Sequence, residues 1–231
     1  MKHNHKHDHN HASYMEEHCE HSIVEELICH MPYSILSVAF ALIVVSLLYF
    51  VSGSNESSLS LHSTYYMLFH NFHFLHIIFA ITSSIAMFSK YSNNIIWGTV
   101  VSVVSASFFC IASDVFFPYI GGTLLGASMK THVCFLSDFT NISIFIIIGV
   151  VNGVAQSWFK KPNVIIMHGL HIIISSFAST FYLVANGFNL NSSHLGLVFL
   201  MLLIAVVLPC TLSDILVPMF VAGVGKKNEK H

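Results

Sequence analysis

Long apolar runs separated by short polar breaks dominate the chain from residue 32 onward. Six runs, at roughly 32–52, 64–89, 94–118, 136–159, 162–186 and 195–222, each meet the ~20 apolar residues needed to cross a bilayer core. The breaks are Ser52-Gly53-Ser54-Asn55, Lys90-Tyr91-Ser92-Asn93, the stretch 121–130, Lys160-Lys161-Pro162 and the stretch 186–193. In lipid the backbone must satisfy its own hydrogen bonds within each segment, so runs of this length predict helices. The expected fold is an all-α polytopic membrane protein with six transmembrane helices.

The polar positions inside these runs carry the chemistry. In the second run stands His70-Asn71-Phe72-His73-Phe74-Leu75-His76. Imidazoles at i, i+3 and i+6 share one helix face and rise along roughly 9 Å of it. Ionisable groups at membrane depth are costly and mark functional sites by default. Part of the pattern recurs. His73-Phe-Leu-His-Ile-Ile78 matches His168-Gly-Leu-His-Ile-Ile173 at five of six positions, at an offset of 95. Cys110-Ile-Ala-Ser-Asp-Val-Phe-Phe-Pro118 and Cys210-Thr-Leu-Ser-Asp-Ile-Leu-Val-Pro218 share Cys, Ser, Asp and Pro at an offset of 100.

Two matches in the same order predict an internal duplication of a three-span unit, 32–130 and 131–223. They are flanked by a His/Cys/Glu-rich tail over 1–31 and a Lys-containing tail over 224–231. Three spans is an odd number, so the second copy enters from the opposite side and the two repeats are expected to be inverted. Secondary transporters commonly use this plan, with the ligand site near the midplane between repeats.

Asp114 and Asp214 are the only carboxylates in the spans apart from Asp138, near the start of the fourth. Each costs roughly 2.5–3.5 kcal/mol at mid-helix on insertion scales. Pro118 and Pro218, four residues further on, are expected to free the carbonyl of each Asp itself. The expected metal ligands are therefore His70, His73, His76, Asp114, His168, His171 and Asp214, with Ser113, Ser213, Cys110 and Cys210 close behind them. Cys110 and Cys210 read more simply as small packing residues. Imidazole with carboxylate suits Zn, Fe, Mn, Co or Ni better than Ca or Mg. His62, His132 and His194, near span ends, are expected to face water, and Asp138 is a candidate outer carboxylate.

The tail adds His3, His5, His7, His9 and His11 in alternation, then His18, Cys19, His21, Cys29 and His30. Such tracts chelate divalent cations without fixed geometry. The reading is a metal-collecting tail, the simpler alternative being an affinity tag or a disordered lead. The stretch 22–31 is expected to form a short amphipathic helix, and the first apolar run to be retained as a span rather than removed as a signal peptide.

Composition sharpens this picture. Of 231 residues 55% are hydrophobic and only 9% charged, far from the ~25% charged residues of a soluble domain. Mean hydropathy is +0.72. All nine basic residues are lysines and the net charge is −2, which argues against nucleic acid as a partner. With the amino terminus inside, eight of the nine lysines fall on the cytoplasmic side and only Lys130 outside. The expected location is a bacterial inner (plasma) membrane with both termini cytoplasmic. The five cysteines are scattered and odd in number, unlike a disulfide framework.

The expected function is a secondary transporter of a divalent transition-metal cation. Lipid and the ion are its partners, protons a candidate coupling ion, and a homodimer a candidate assembly. The alternatives are an intramembrane metal-dependent hydrolase, whose zinc needs an open position for water, and a membrane substrate-binding subunit of an ATP-driven metal importer. The chain carries no Walker motif of its own. Haem held by opposed histidines is a remoter option.

Overall fold

A computed structural model describes residues 23–53, 58–129, 139–158, 164–190 and 194–223. All regular structure among them is helical. In chain order these are α1 (Ile23–Gly53), α2 (Ser58–Tyr91), α3 (Ile95–Ile111), a π-turn (Ala112–Phe116), α4 (Phe117–Leu124), α5 (Phe139–Ser157), α6 (Val164–Ala185), α7 (Leu195–Thr211), a second π-turn (Leu212–Leu216) and α8 (Val217–Val221).

Six helical stretches are long and apolar enough to cross a membrane: Met31–Ser52, His62–Tyr91, Ile95–Leu124, Thr140–Ser157, Ile166–Ala185 and Leu195–Val221. They match the expected runs to within a few residues, with two differences. The short helix expected before the first span is continuous with it, since α1 runs from Ile23 through Pro32. A proline inside a helix removes one i→i−4 bond and need not end it. The third span passes Pro118 and reaches Leu124. Pro118 sits at the first turn of α4, directly after the π-turn, and the carbonyl that its missing N–H leaves open is met by a side chain.

Local signals close the helices. Asn94 caps α3 by accepting a hydrogen bond from the Trp97 N–H at 3.2 Å. Gly187, with φ of 91°, ends α6. Its left-handed backbone lets the Phe188 N–H reach the Leu183 carbonyl at 2.9 Å, a bond that satisfies one of the last carbonyls of the helix.

The two helices that carry His-x-x-His, α2 and α6, form the most extensive interface and are the most buried of the spans. Around them the outer helices are exchanged between the sequence halves. α1 packs on α6 and α7, whereas α5 packs on α2 and touches α3. The π-turn of each half likewise lies against a central helix of the other half, 112–116 against α6 and 212–216 against α2.

Small residues and hydroxyls allow these approaches. A Cβ at Gly149 would stand 3.2 Å from the Ile78 Cα and carbonyl oxygen, so α5 meets the backbone of α2 there. Thr82 on α2 donates to the Gly149 carbonyl at 3.3 Å and accepts from the Asn152 amide at 3.2 Å. Such interhelical polar contacts and small-residue seams drive association where both solvent and side chains are apolar. The outward surface is lined by large exposed apolar residues such as Phe40, Phe50, Val104, Phe108, Ile147 and Leu200, as expected of a face in contact with lipid chains. Trp97 and Trp158 are both exposed.

Candidate metal centre

The site grows from two helical details. First, i, i+3 spacing puts His73 and His76 on one face of α2, and His168 and His171 on one face of α6. Second, each Ser-Asp lies inside a π-turn, at the same place in both halves. One extra residue in the turn changes the hydrogen-bond register, so the Phe117 N–H bonds the Ala112 carbonyl and the Val217 N–H that of Leu212. Single π-turns inside helices recur at functional sites because they re-aim side chains. Here they turn Asp114 and Asp214 inward.

The register change also corrects an expectation about the proline. The carbonyl taking an outside bond is that of Ser113, not of Asp114: it accepts from the Ser179 hydroxyl at 3.0 Å. In an i→i−5 turn the group facing Pro118 is one residue earlier than in an α-helix.

Each aspartate holds the two imidazoles of its own half. Asp114 Oδ2 bonds His73 Nδ1 at 2.8 Å and His76 Nδ1 at 2.6 Å. Asp214 Oδ2 bonds His168 Nδ1 at 3.0 Å and also His171 Nδ1. All six residues are at most 1% exposed. In each trio the ligand atoms lie within 4.8 Å of one another, close enough to grip a single ion. We call these the first cup (His73, His76, Asp114) and the second cup (His168, His171, Asp214).

Hydroxyls from both halves complete the cups. Asp114 Oδ1 accepts from Ser113 at 2.9 Å, Ser175 at 3.1 Å and, more weakly, Ser179 at 3.5 Å. Ser83 on α2 donates to Asp214 Oδ2. Sequence reading missed these three serines of α2 and α6. A signal exists for two of them: Ser175 and Ser179 follow His171 at i+4 and i+8, on the same helix face.

The cups are not equivalent. Asp114 has both oxygens engaged, whereas Asp214 Oδ1, Ser213 Oγ and Thr211 Oγ1 are buried with no hydrogen-bond partner among the described residues. His73 Nε2 is likewise buried without one. Unpaired buried polar atoms cost about 1–3 kcal/mol each, so the second cup and the far side of His73 retain capacity for a ligand.

The two cups meet at the centre. His76 and His171 face each other through Nε2 across the α2–α6 interface, ring centroids 4.4 Å apart. Phe69 stacks on His73 with centroids at 5.5 Å and planes 21° apart, and its edge meets Tyr182. This aromatic packing fixes the outermost ring of the first cup.

Of the other sequence candidates, His70 stands outside both cups. Its Nδ1 bonds the Tyr66 carbonyl at 2.8 Å, as donor, and its ring lines a recess with Ser63, Tyr66, Asn71, Phe74 and Asn141. Ser113 and the two cysteines adjoin the site: Ser113 donates to Asp114, and Cys110 and Cys210 are free and buried beside the facing imidazoles. His62 and His194 are exposed. His3, His5, His7, His9, His11, His18, Cys19, His21, His132 and Asp138 lie outside the described residues, as do the side chains of Cys29 and His30.

No protein-family model, curated protein or solved structure matches this chain.

Proposed function

We propose that this chain is a secondary transporter of a divalent transition-metal cation, built as two inverted three-helix repeats. One observation carries the reading: two buried His-x-x-His/Asp cups, with ligand atoms close enough for one ion each, stand back to back across α2 and α6.

A single structural metal would need one such cup. Two, related by sequence and joined through His76 and His171, make a file of positions along which an ion can pass. The exchange of α1 and α5, of the π-turns, and of the serine donors between halves supports a two-fold relation between the repeats. Such a relation in turn supports alternating access by rocking one repeat against the other. Each cup offers three ligands of imidazole and carboxylate type, a set that suits zinc and its neighbours in the first transition row. An ion bound at a ring Nδ1 takes the place of the proton that now bonds the carboxylate, so ion and proton exclude one another at that atom. This makes protons the natural counter-ion. Lysine placement supports cytoplasmic termini, with the His-rich tail gathering the ion on that side.

The test is uptake of Zn, Fe, Mn, Co and Ni into vesicles containing the purified chain alone. Uptake by the wild type, lost in both Asp114→Asn and Asp214→Asn, is the expected result. Saturable metal binding without uptake sinks the transporter reading in favour of a metal-dependent hydrolase or a substrate-binding subunit.

A further inference from the structure

We infer that a third metal position lies between the cups, formed by His76, His171, Cys110 and Cys210, and that it takes a thiophilic ion of the zinc class. Its role in choosing the cargo rests on the transporter reading. Its existence as a binding site does not.

The ring nitrogens set this position up. Each carboxylate accepts at Oδ2, so Nδ1 of His76 and of His171 donates its proton outward to its own aspartate. With both rings uncharged, each Nε2 carries only a lone pair, and the two are in contact. Two facing lone pairs repel unless a positive charge lies between them. Carboxylate–histidine pairs of this kind are the usual outer support of a metal-bound imidazole, since the carboxylate fixes the tautomer and strengthens the donor nitrogen.

Sulfur completes the set. The thiol of Cys110 lies within 4.8 Å of the ligand nitrogens of both His76 and His171. Cys210 Sγ lies 3.8 Å from His76 Nε2. Both cysteines are 1% exposed and free. Each precedes its aspartate by four residues, so the same π-turn-bearing segment that delivers an acid to a cup delivers a thiol to the centre.

Two imidazoles and two thiolates, whose protons are released as the ion binds, are a tetrahedral zinc set, with metal–nitrogen bonds of about 2.0–2.1 Å and metal–sulfur bonds of about 2.3 Å. An ion of that size needs the two nitrogens spread to roughly 3.3 Å, a small parting of α2 and α6. Thiolates favour Zn²⁺ and Cd²⁺ over the harder Mn²⁺. The central position thus sets a chemical filter between two cups that, on imidazole and carboxylate alone, admit the whole transition row.

The experiment titrates the full-length purified protein with Cd²⁺ and follows sulfur-to-cadmium charge-transfer absorbance in the ultraviolet, followed by Zn²⁺/Mn²⁺ competition. Cys110→Ser/Cys210→Ser is compared with wild type, and Cys110→Ala/Cys210→Ala with both, so that a folding failure of one pair leaves the other. The other three cysteines, Cys19, Cys29 and Cys134, contribute equally to every protein and cancel in the difference. Expected are a loss of absorbance corresponding to two thiolates and a fall of at least tenfold in Zn²⁺-over-Mn²⁺ preference. Unchanged absorbance and preference in a folded double variant overturn the proposal, even if metal uptake persists. A clear difference in a chain that carries no metal across vesicles overturns the transporter reading instead and leaves the site standing.

Discussion

Exchanging each buried aspartate for asparagine separates the two cups by stability. Asparagine keeps one acceptor oxygen and replaces the other with an NH₂ group. At position 214 the carbonyl can stay at Oδ2, where it still accepts from His168, His171 and Ser83. The NH₂ then occupies the place of an oxygen that had no partner. At position 114 the carbonyl must likewise stay at Oδ2 for the two histidines, so the NH₂ faces the hydroxyls of Ser113 and Ser175, which now donate there. Ser113 can turn to the Cys110 carbonyl, already 3.1 Å away. Ser175 Oγ accepts from the Cys210 thiol at 3.5 Å and can accept from the new NH₂, but its own O–H loses the carboxylate oxygen and has no other acceptor among these bonds. One buried O–H left without an acceptor costs about 1–3 kcal/mol. The weaker bonds to the histidine pair follow from the lost charge in both variants and cancel in the comparison. Asp114→Asn is therefore expected to be less stable than Asp214→Asn by about 1–3 kcal/mol, or roughly 2–12 °C in melting midpoint for a chain of this size. The measurement is thermal unfolding of both variants in one detergent with chelator present. Equal midpoints, or a lower one for Asp214→Asn, would refute the asymmetry drawn from these hydrogen bonds.

Three further outcomes test separate parts of the structure. Gly149→Leu is expected to force α5 off the α2 backbone, costing about 1–3 kcal/mol or more by overpacking. Gly169→Ala, where a Cβ meets nothing within 4 Å, should instead be neutral or stabilising by up to ~1 kcal/mol. The paired melting curves settle both. Ser179→Ala removes the hydroxyl from the Ser113 carbonyl and is expected to cost about 1–3 kcal/mol. Hydrogen exchange at the π-turn 112–116 should rise with it, and unchanged exchange would detach Ser179 from the turn. His70→Ala is expected to leave metal affinity within about threefold of wild type, whereas His76→Ala, which touches a cup and the centre, should lower it by about tenfold or more, the scale of a lost ligand support. A large effect at His70 in a binding titration would return it to the ligand set.

Much of the membrane architecture and of the site was legible along the chain, because each follows from short-range rules. Apolar run length set the six spans. Helical spacing placed each histidine pair on one face, and the duplicated words tied Asp114 and Asp214 to those pairs. His70 fits the same periodicity, yet it falls outside the cups. Helical phase says which face a residue shares, not what stands opposite that face.

Sequence alone, then, determined that the chain is helical and apolar enough to cross a membrane, and that its rare buried acids and imidazoles recur in two sets. Only the tertiary structure decided how the sets meet. Each π-turn falls in the duplicated Cys-x-x-Ser-Asp-x-x-x-Pro word and lies against a central helix of the opposite half. The choice of Nδ1 for the carboxylates, with Nε2 left for the centre, depends on ring orientation fixed by neighbours such as Phe69 for His73 and the facing pair His76 and His171. The serines that distinguish one cup from the other reach the π-turn of the opposite half, Ser83 of α2 that of Asp214 and Ser175 of α6 that of Asp114, from residues distant in sequence. Contacts between segments far apart in the chain are a property of their joint packing, and that is why the asymmetry of the cups and the sulfur between them became visible only in three dimensions.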